Sequence, residues 1–203
     1  MVGLLLICAV LAVLELDTTY WGQVLISRPI VVGSVIGFLS GNFFLGLQLG
    51  IFTELIYLDF MPIGGVTPPS GALSSGIAVI MAQYFGLDIY FAFFVGIIGG
   101  LAFSFVEKEL RRLRTRNLPQ IEHELKTNAT SAGKVILQSL LLQFLAVYAF
   151  LLVCISVIGP AFGSISAKIP EHLHIAFKFS YFVVPWIGLA GLLLSFSAKP
   201  KSD

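Results

Sequence analysis

Glu54 lies in the run LGLQLGIFTELIYLDF, among residues as apolar as a membrane span. An acid in that setting is costly and by default marks a cavity or a partner. A carboxylate can accept hydrogen bonds from sugar hydroxyls, or bind and release a proton. The structural counterpart of that reading is a pairing with Arg28 or with a backbone donor. Asp59, near the end of the same segment, is either a second functional acid or an interfacial acid with no special role. Arg28 is either a site residue or a cation that eases a short helix into lipid, because an interfacial arginine can snorkel to water. The amides of Gln23, Asn42, Gln48 and Gln83 suit a hydroxylated ligand and are equally common as glue between helices. On a straight helix Gln48 and Glu54, six residues apart, face different directions.

Other chemistries have weaker support. His123, His172 and His174 fall in or beside polar stretches, next to no pattern that would activate them. Cys8 and Cys154 sit in apolar runs as small buried hydrophobes, without metal-type spacing. No phosphate-binding loop, nucleophile elbow or metal cluster is present, so no cofactor is expected.

Composition dictates what must position these groups. The chain has 203 residues, of which 57% are hydrophobic and 11% charged, with a mean hydropathy of +0.95. That is more apolar surface than one soluble core could hide. Long apolar runs without strand-like alternation predict an all-α, polytopic integral membrane protein. The net charge of +1 argues neither for nor against a nucleic-acid partner, and none is expected. Its distribution is uneven: Lys108, Arg111, Arg112, Arg114, Arg116, Lys126 and Lys134, seven of the twelve basic residues, fall between 107 and 134.

Three regions follow. Residues 1–106 form a membrane core, 107–134 a basic loop, and 135–203 a pair of membrane helices with a short tail. Segment 1–16 reads as a retained membrane helix and not a signal peptide, since no basic residue precedes its apolar run. Arg28-Pro29 restarts the chain, proline being tolerated in a first helical turn. Gly33, Gly37 and Gly41, and later Gly46 and Gly50, step by four and make smooth faces for close packing. The halves 30–41 and 43–58 are each shorter than a span, so they are two short tilted spans or one re-entrant hairpin. Pro62, Gly64, Gly65, Pro68, Pro69 and Gly71 then break any helix, and irregular backbone at membrane depth survives only beside protein or a water-filled cavity. Residues 72–86 and 88–106 form a helical hairpin turning at Gly86-Leu87-Asp88. The last of these helices continues toward solution until Pro119 interrupts it. Spans 135–158 and 174–196 are joined by a loop holding Gly159-Pro160, and Pro185 kinks the second. The basic run is cytoplasmic by the positive-inside rule, which places the C-terminus and Arg28 inside, whichever form 30–58 takes.

The order Gln23, Ile26-Ser27-Arg28-Pro29, Gly33, Gly37, Gly41-Asn42, Gly50, Glu54-Leu55-Ile56, Pro62-Ile63-Gly64-Gly65 and Pro68-Pro69 resembles the enzyme IIC subunit of mannose/fructose/sorbose-type phosphotransferase systems (PTS). The resemblance covers roughly residues 20 to 80; beyond the basic loop only the hydropathy plan is similar. It implies a sugar-translocating membrane subunit that pairs with a membrane IID-like subunit. Cytoplasmic IIA/IIB-like proteins would carry phosphate to the incoming sugar, so this chain would need no catalytic or phospho-carrier residue of its own. The resemblance maps the family's membrane acid onto Glu54 and its proline turn onto Pro68-Pro69. Two positions depart from it: Ser70 stands where an acid is common, and Asn42 where Asp is common. A serine can still hydrogen-bond a sugar hydroxyl but supplies no charged acceptor.

The expectation is therefore a hetero-oligomeric sugar transporter subunit of the bacterial inner membrane. Its candidate site comprises Glu54, Ser70, Arg28, Asn42, Gln23 and Asp59, shaped by the turn from Pro62 to Gly71. Two other functions remain open on the sequence: an ion-coupled carrier or channel without phosphotransfer, and a non-transporting membrane scaffold.

Overall fold

Glycines, prolines and apolar runs divide the chain into helices in the order α1 (Val2–Leu16), α2 (Pro29–Leu39), α3 (Phe43–Tyr57), α4 (Gly71–Tyr84), α5 (Ile89–Thr127), α6 (Ala132–Val153), α7 (Gly159–Ser166) and α8 (Glu171–Ser197). The structure is a computed structural model that describes residues 2–18, 22–58, 67–127, 132–166 and 168–197. Among the described residues, three stretches are long and apolar enough to cross a membrane: Ile89–Arg116, Gly133–Ser166 and Glu171–Leu194. The all-helical, multi-pass membrane architecture expected from composition is what the chain adopts, with short helices filling the N-terminal third.

Helix α4 is the centre. Its sequence, GALSSGIAVIMAQY, is small or apolar all round, as suits a helix enclosed on every side. Residues Ala72 to Met81 are all buried. Helix α5 returns along it after the turn at Gly86, whose φ of +65° is a left-handed value that glycine adopts without strain. Polar side chains in this core find partners. Ser75 donates to the Pro29 carbonyl at 3.0 Å, Ser74 to the Ser70 carbonyl at 2.8 Å, and Thr53 to the Leu49 carbonyl at 2.7 Å.

Residues 30–58 form a hairpin. Helix α2 has 11 residues and α3 has 15, or about 16 and 22 Å at 1.5 Å per residue, against a hydrocarbon core of about 30 Å. Gly33, Gly37, Gly46 and Gly50 face one another, whereas Gly41, expected on the same face, is a left-handed turn residue (φ +84°) with open space around it. A Cβ on Gly37 would lie 2.7 Å from the Gly46 Cα, and one on Gly33 2.8 Å from the Gly50 Cα. The two backbones touch, and nothing larger than glycine fits between them. On the other side of α3, Phe52 stacks on Tyr181 of α8, with ring centroids 4.4 Å apart and planes 6° from parallel.

Two expectations about helix ends need correction. The basic segment is not a loop: α5 runs through Pro119 to Thr127. Proline removes one N–H and crowds the preceding turn, but the flanking Glu, Lys, Arg and Leu favour helix strongly, and water outside the membrane can serve a freed carbonyl. Likewise Gly159-Pro160 does not sit in a loop. A π-helical turn, Cys154–Ile158, leads into α7, and the Gly159 N–H bonds back to the Cys154 carbonyl. Proline in the first turn of the new helix α7 forfeits little. Helix α8 passes through Pro185 without ending.

Candidate functional site

A cavity of about 540 Å³ opens where the end of α1, the base of the α2–α3 hairpin, the start of α4 and the polar end of α5 converge. Its volume lies within the usual range for small-molecule sites. Five separate stretches of chain build it.

The first is the end of α1 and the turn after it. Glu15 is buried, 6% exposed, and so is Asp17. The Asp17 carboxylate organises residues 22–28: the Val24 N–H donates to Oδ1 at 3.0 Å, and the Ser27 N–H and Oγ–H donate to Oδ2 at 3.2 and 3.3 Å. These donors, the Val24 N–H foremost, hold its carboxyl below the ordinary value of 3.8. The loop needs such an anchor. Gln23 and Leu25 have φ of +50° and +68°, values rare outside glycine and costly for a branched side chain. Both line the cavity.

The hairpin base supplies Arg28 and Glu54. Arg28 Nη1 donates to Glu54 Oε1 at 3.0 Å, and the Ile30 N–H reaches Oε2 at 3.4 Å. Arg28 precedes Pro29 without capping α2 through its own side chain. Glu54 supplies that cap from the neighbouring helix, satisfying an N-terminal N–H where negative charge is favoured. Glu54 thus has both the arginine and the backbone partners weighed for it, and it also faces the cavity.

The turn into α4 supplies Pro68, Pro69, Ser70 and Gly71. Ser70 is the N-cap: Oγ accepts from the Leu73 N–H at 3.1 Å. Its own proton goes to Glu15 Oε2 at 3.0 Å. Gly71 is required by close approach, since a Cβ there would lie 2.7 Å from Pro29 Cγ and 3.3 Å from the Tyr57 ring. Tyr57 in turn bonds to Ser74 across 3.0 Å.

Helices α5 and α6 complete the wall. Glu107 is 8% exposed. Its Oε1 accepts from Arg111 Nε at 3.0 Å and its Oε2 from Gln143 Nε2 at 2.8 Å. Arg114 donates to the same Gln143 side chain, so the network ties the two helices together.

Of the residues singled out by sequence, Glu54, Ser70, Arg28, Gln23, Pro68, Pro69 and Gly71 meet at this cavity. Asn42 does not. It lies at the opposite tip of the hairpin, where Oδ1 caps α3 by accepting from the Leu45 N–H at 3.2 Å. Asp59, Pro62, Gly64 and Gly65 lie outside the described residues. Glu15, Asp17, Glu107, Arg111 and Gln143 were missed. Acids at the ends of apolar runs read as interfacial, and only the i, i+4 spacing of Glu107 and Arg111 on a continuing helix signalled a pair. Carboxyl, amide, guanidinium and hydroxyl groups together offer a small polar molecule both hydrogen-bond donors and acceptors.

Comparison with known proteins supports a specific class. The family described as EII-Sor, PTS system sorbose-specific IIC component, matches residues 1–200. The N-acetylgalactosamine permease IIC component 1 of Escherichia coli (strain K12) is 31% identical over 101 residues. That alignment covers 49% of this chain and 37% of the relative. A solved structure described as a membrane protein superposes with a TM-score of 0.80 at 20% identity, over 97% of this chain and 79% of that one. The mannose transporter ManYZ, solved with microcin E492, gives a TM-score of 0.59 at 20% identity over the same shares. At that identity the structural likenesses speak to the fold.

Proposed function

Because the chain belongs to the sorbose-specific IIC component family of the PTS, we propose that it is the sugar-translocating membrane subunit of a phosphoenolpyruvate-dependent system. In this reading it sits in the bacterial inner membrane and works with a IID-like membrane subunit. Cytoplasmic IIA/IIB-like proteins carry the phosphoryl group, and this chain contributes no phospho-carrier of its own.

The observation that carries the proposal is where the cavity sits. Glu107 and Arg111 line it, and the same helix continues directly into the basic run of α5. By the positive-inside rule that end of α5 is cytoplasmic. A sugar in the cavity is then held at the cytoplasmic end, where a phosphorylating partner can reach it. Phosphorylation converts a neutral ligand into an anion that no longer suits the site, making uptake one-way. The hairpin α2–α3 enters from the same side and returns, with Arg28 and Glu54 as the clasp at its base. N-acetylgalactosamine, named for the Escherichia coli relative, is a sensible first substrate alongside hexoses.

The test is phosphoenolpyruvate-dependent sugar uptake in cells with and without this chain. Loss of uptake of at least one hexose or amino sugar is expected. Unchanged uptake of every such sugar would overturn the proposal. Uptake that persists without phosphoenolpyruvate would show a carrier of another kind.

A further inference from the structure

Among the described residues four carboxyl groups line the cavity, and three of them already hold N–H donors. Glu54 has Arg28 and the Ile30 N–H. Asp17 has the N–H groups of Val24 and Ser27. Glu107 has Arg111 and Gln143. Glu15 is different. Its side-chain donor is a hydroxyl: Ser70 donates to Oε2 at 3.0 Å, while the nearby Thr18 hydroxyl donates to the Glu15 main-chain carbonyl and Glu107 is the charged group closest in influence, of like sign. Among the described residues no cation pairs with it. It is 94% buried from solvent by its 6% exposure, yet it lines the cavity.

That difference decides which carboxyl can serve a sugar. A carboxyl group offers several acceptor sites across its two oxygens, and Ser70 occupies one of them. An arriving sugar hydroxyl can share the group, or exchange with a hydroxyl like for like. Displacing Arg28, Arg111 or a backbone N–H would instead break a charge-assisted bond or strand a buried donor. Ser70 also fixes the geometry. Its oxygen is engaged by the Leu73 N–H, so its proton is committed to Glu15, and the carboxyl is held in one orientation before ligand arrives.

We infer that Glu15 is the carboxyl that contacts the sugar, and that the Glu15–Ser70 pair selects which hydroxyl pattern is accepted. This rests on the cavity being the sugar site.

The test uses the complete transport complex and a set of mono-deoxy analogues of a sugar it transports. In the wild type, removing the hydroxyl that meets Glu15 should lower kcat/KM about two- to tenfold, the range for an ordinary hydrogen bond. In Glu15→Ala, which removes the acceptor, the parent sugar should fall by a similar factor while that analogue stays where it was, so the two converge. A parent-to-analogue ratio identical in wild type and Glu15→Ala at every hydroxyl position overturns the inference. Should Glu15→Ala fail to assemble, Ser70→Ala supplies the same readout: discrimination at one hydroxyl should weaken, and unchanged discrimination at all of them overturns the inference. Failure of the wild-type complex to transport any sugar would instead strike at the proposed function.

Discussion

Arg28 and Glu54 close the base of the hairpin and rim the cavity at once, so their substitution should affect both stability and transport. Arg28 is half exposed, which limits the ion pair itself to about 0.2–1 kcal/mol. Loss of the cap on α2 adds roughly 0.5–2 kcal/mol. Glu54→Ala should therefore lower the unfolding midpoint of the solubilised protein more than Arg28→Ala does. The double substitution should cost no more than Glu54→Ala alone, because both remove one unit. Strictly additive losses in thermal melts would show that the pair does not act together. Asp17 gives a pH-dependent prediction. Its carboxyl is depressed below 3.8 in the folded chain by the Val24 and Ser27 donors. The stability it lends to the 22–28 loop is therefore complete above the unfolded value near 4 and lost as pH falls through the folded value. Asp17→Asn should melt below wild type at pH 7, and the gap should close in strong acid. A gap independent of pH would exclude the carboxylate as the anchor.

At the scale of helices, the glycine seam is the sharpest constraint. Gly37 and Gly46 meet backbone to backbone, so Gly46→Val should be far more damaging than Gly3→Val, since Gly3 has open space around it. Overpacking of about 1–3 kcal/mol or more is expected, read as loss of folded protein in detergent. Near-equal yields of the two variants would contradict the seam. The four-residue stepping was legible in the sequence because small residues on one helix face have few other uses in lipid. Which glycine opposes which was not, since that depends on the hairpin's register. Pro119 misled for a related reason: a local breaker signal gave way to strong helix formers on both sides of it. Ser70 was read as the site's weak point, yet it is the N-cap of α4 and the partner of Glu15, a contact spanning 55 residues that no local pattern reveals.

At the scale of the whole molecule, the membrane class and the 72–106 hairpin could be read from composition and breakers, whereas 30–58 stayed open between two tilted spans and one hairpin. Part of the cavity wall, Gln23, Arg28, Glu54 and Pro68 to Gly71, could be read from the segment 20–71. The remainder comes from α1, α5 and α6, whose acids lie at helix ends and look interfacial until the bundle brings them together. The bundle also places the cavity at the basic end of α5; with that end cytoplasmic, as proposed, the cavity opens to the cytoplasm in this conformation. Gln23 is exposed at its rim, whereas Cys8 and Cys154 are buried. The most direct measurement is therefore alkylation of a Gln23→Cys protein, in its complex, by a membrane-impermeant maleimide. The account predicts labelling in inside-out vesicles that slows when a transported sugar is added. A labelling rate unaffected by every sugar the same vesicles phosphorylate would contradict the claim that this cavity is the sugar site.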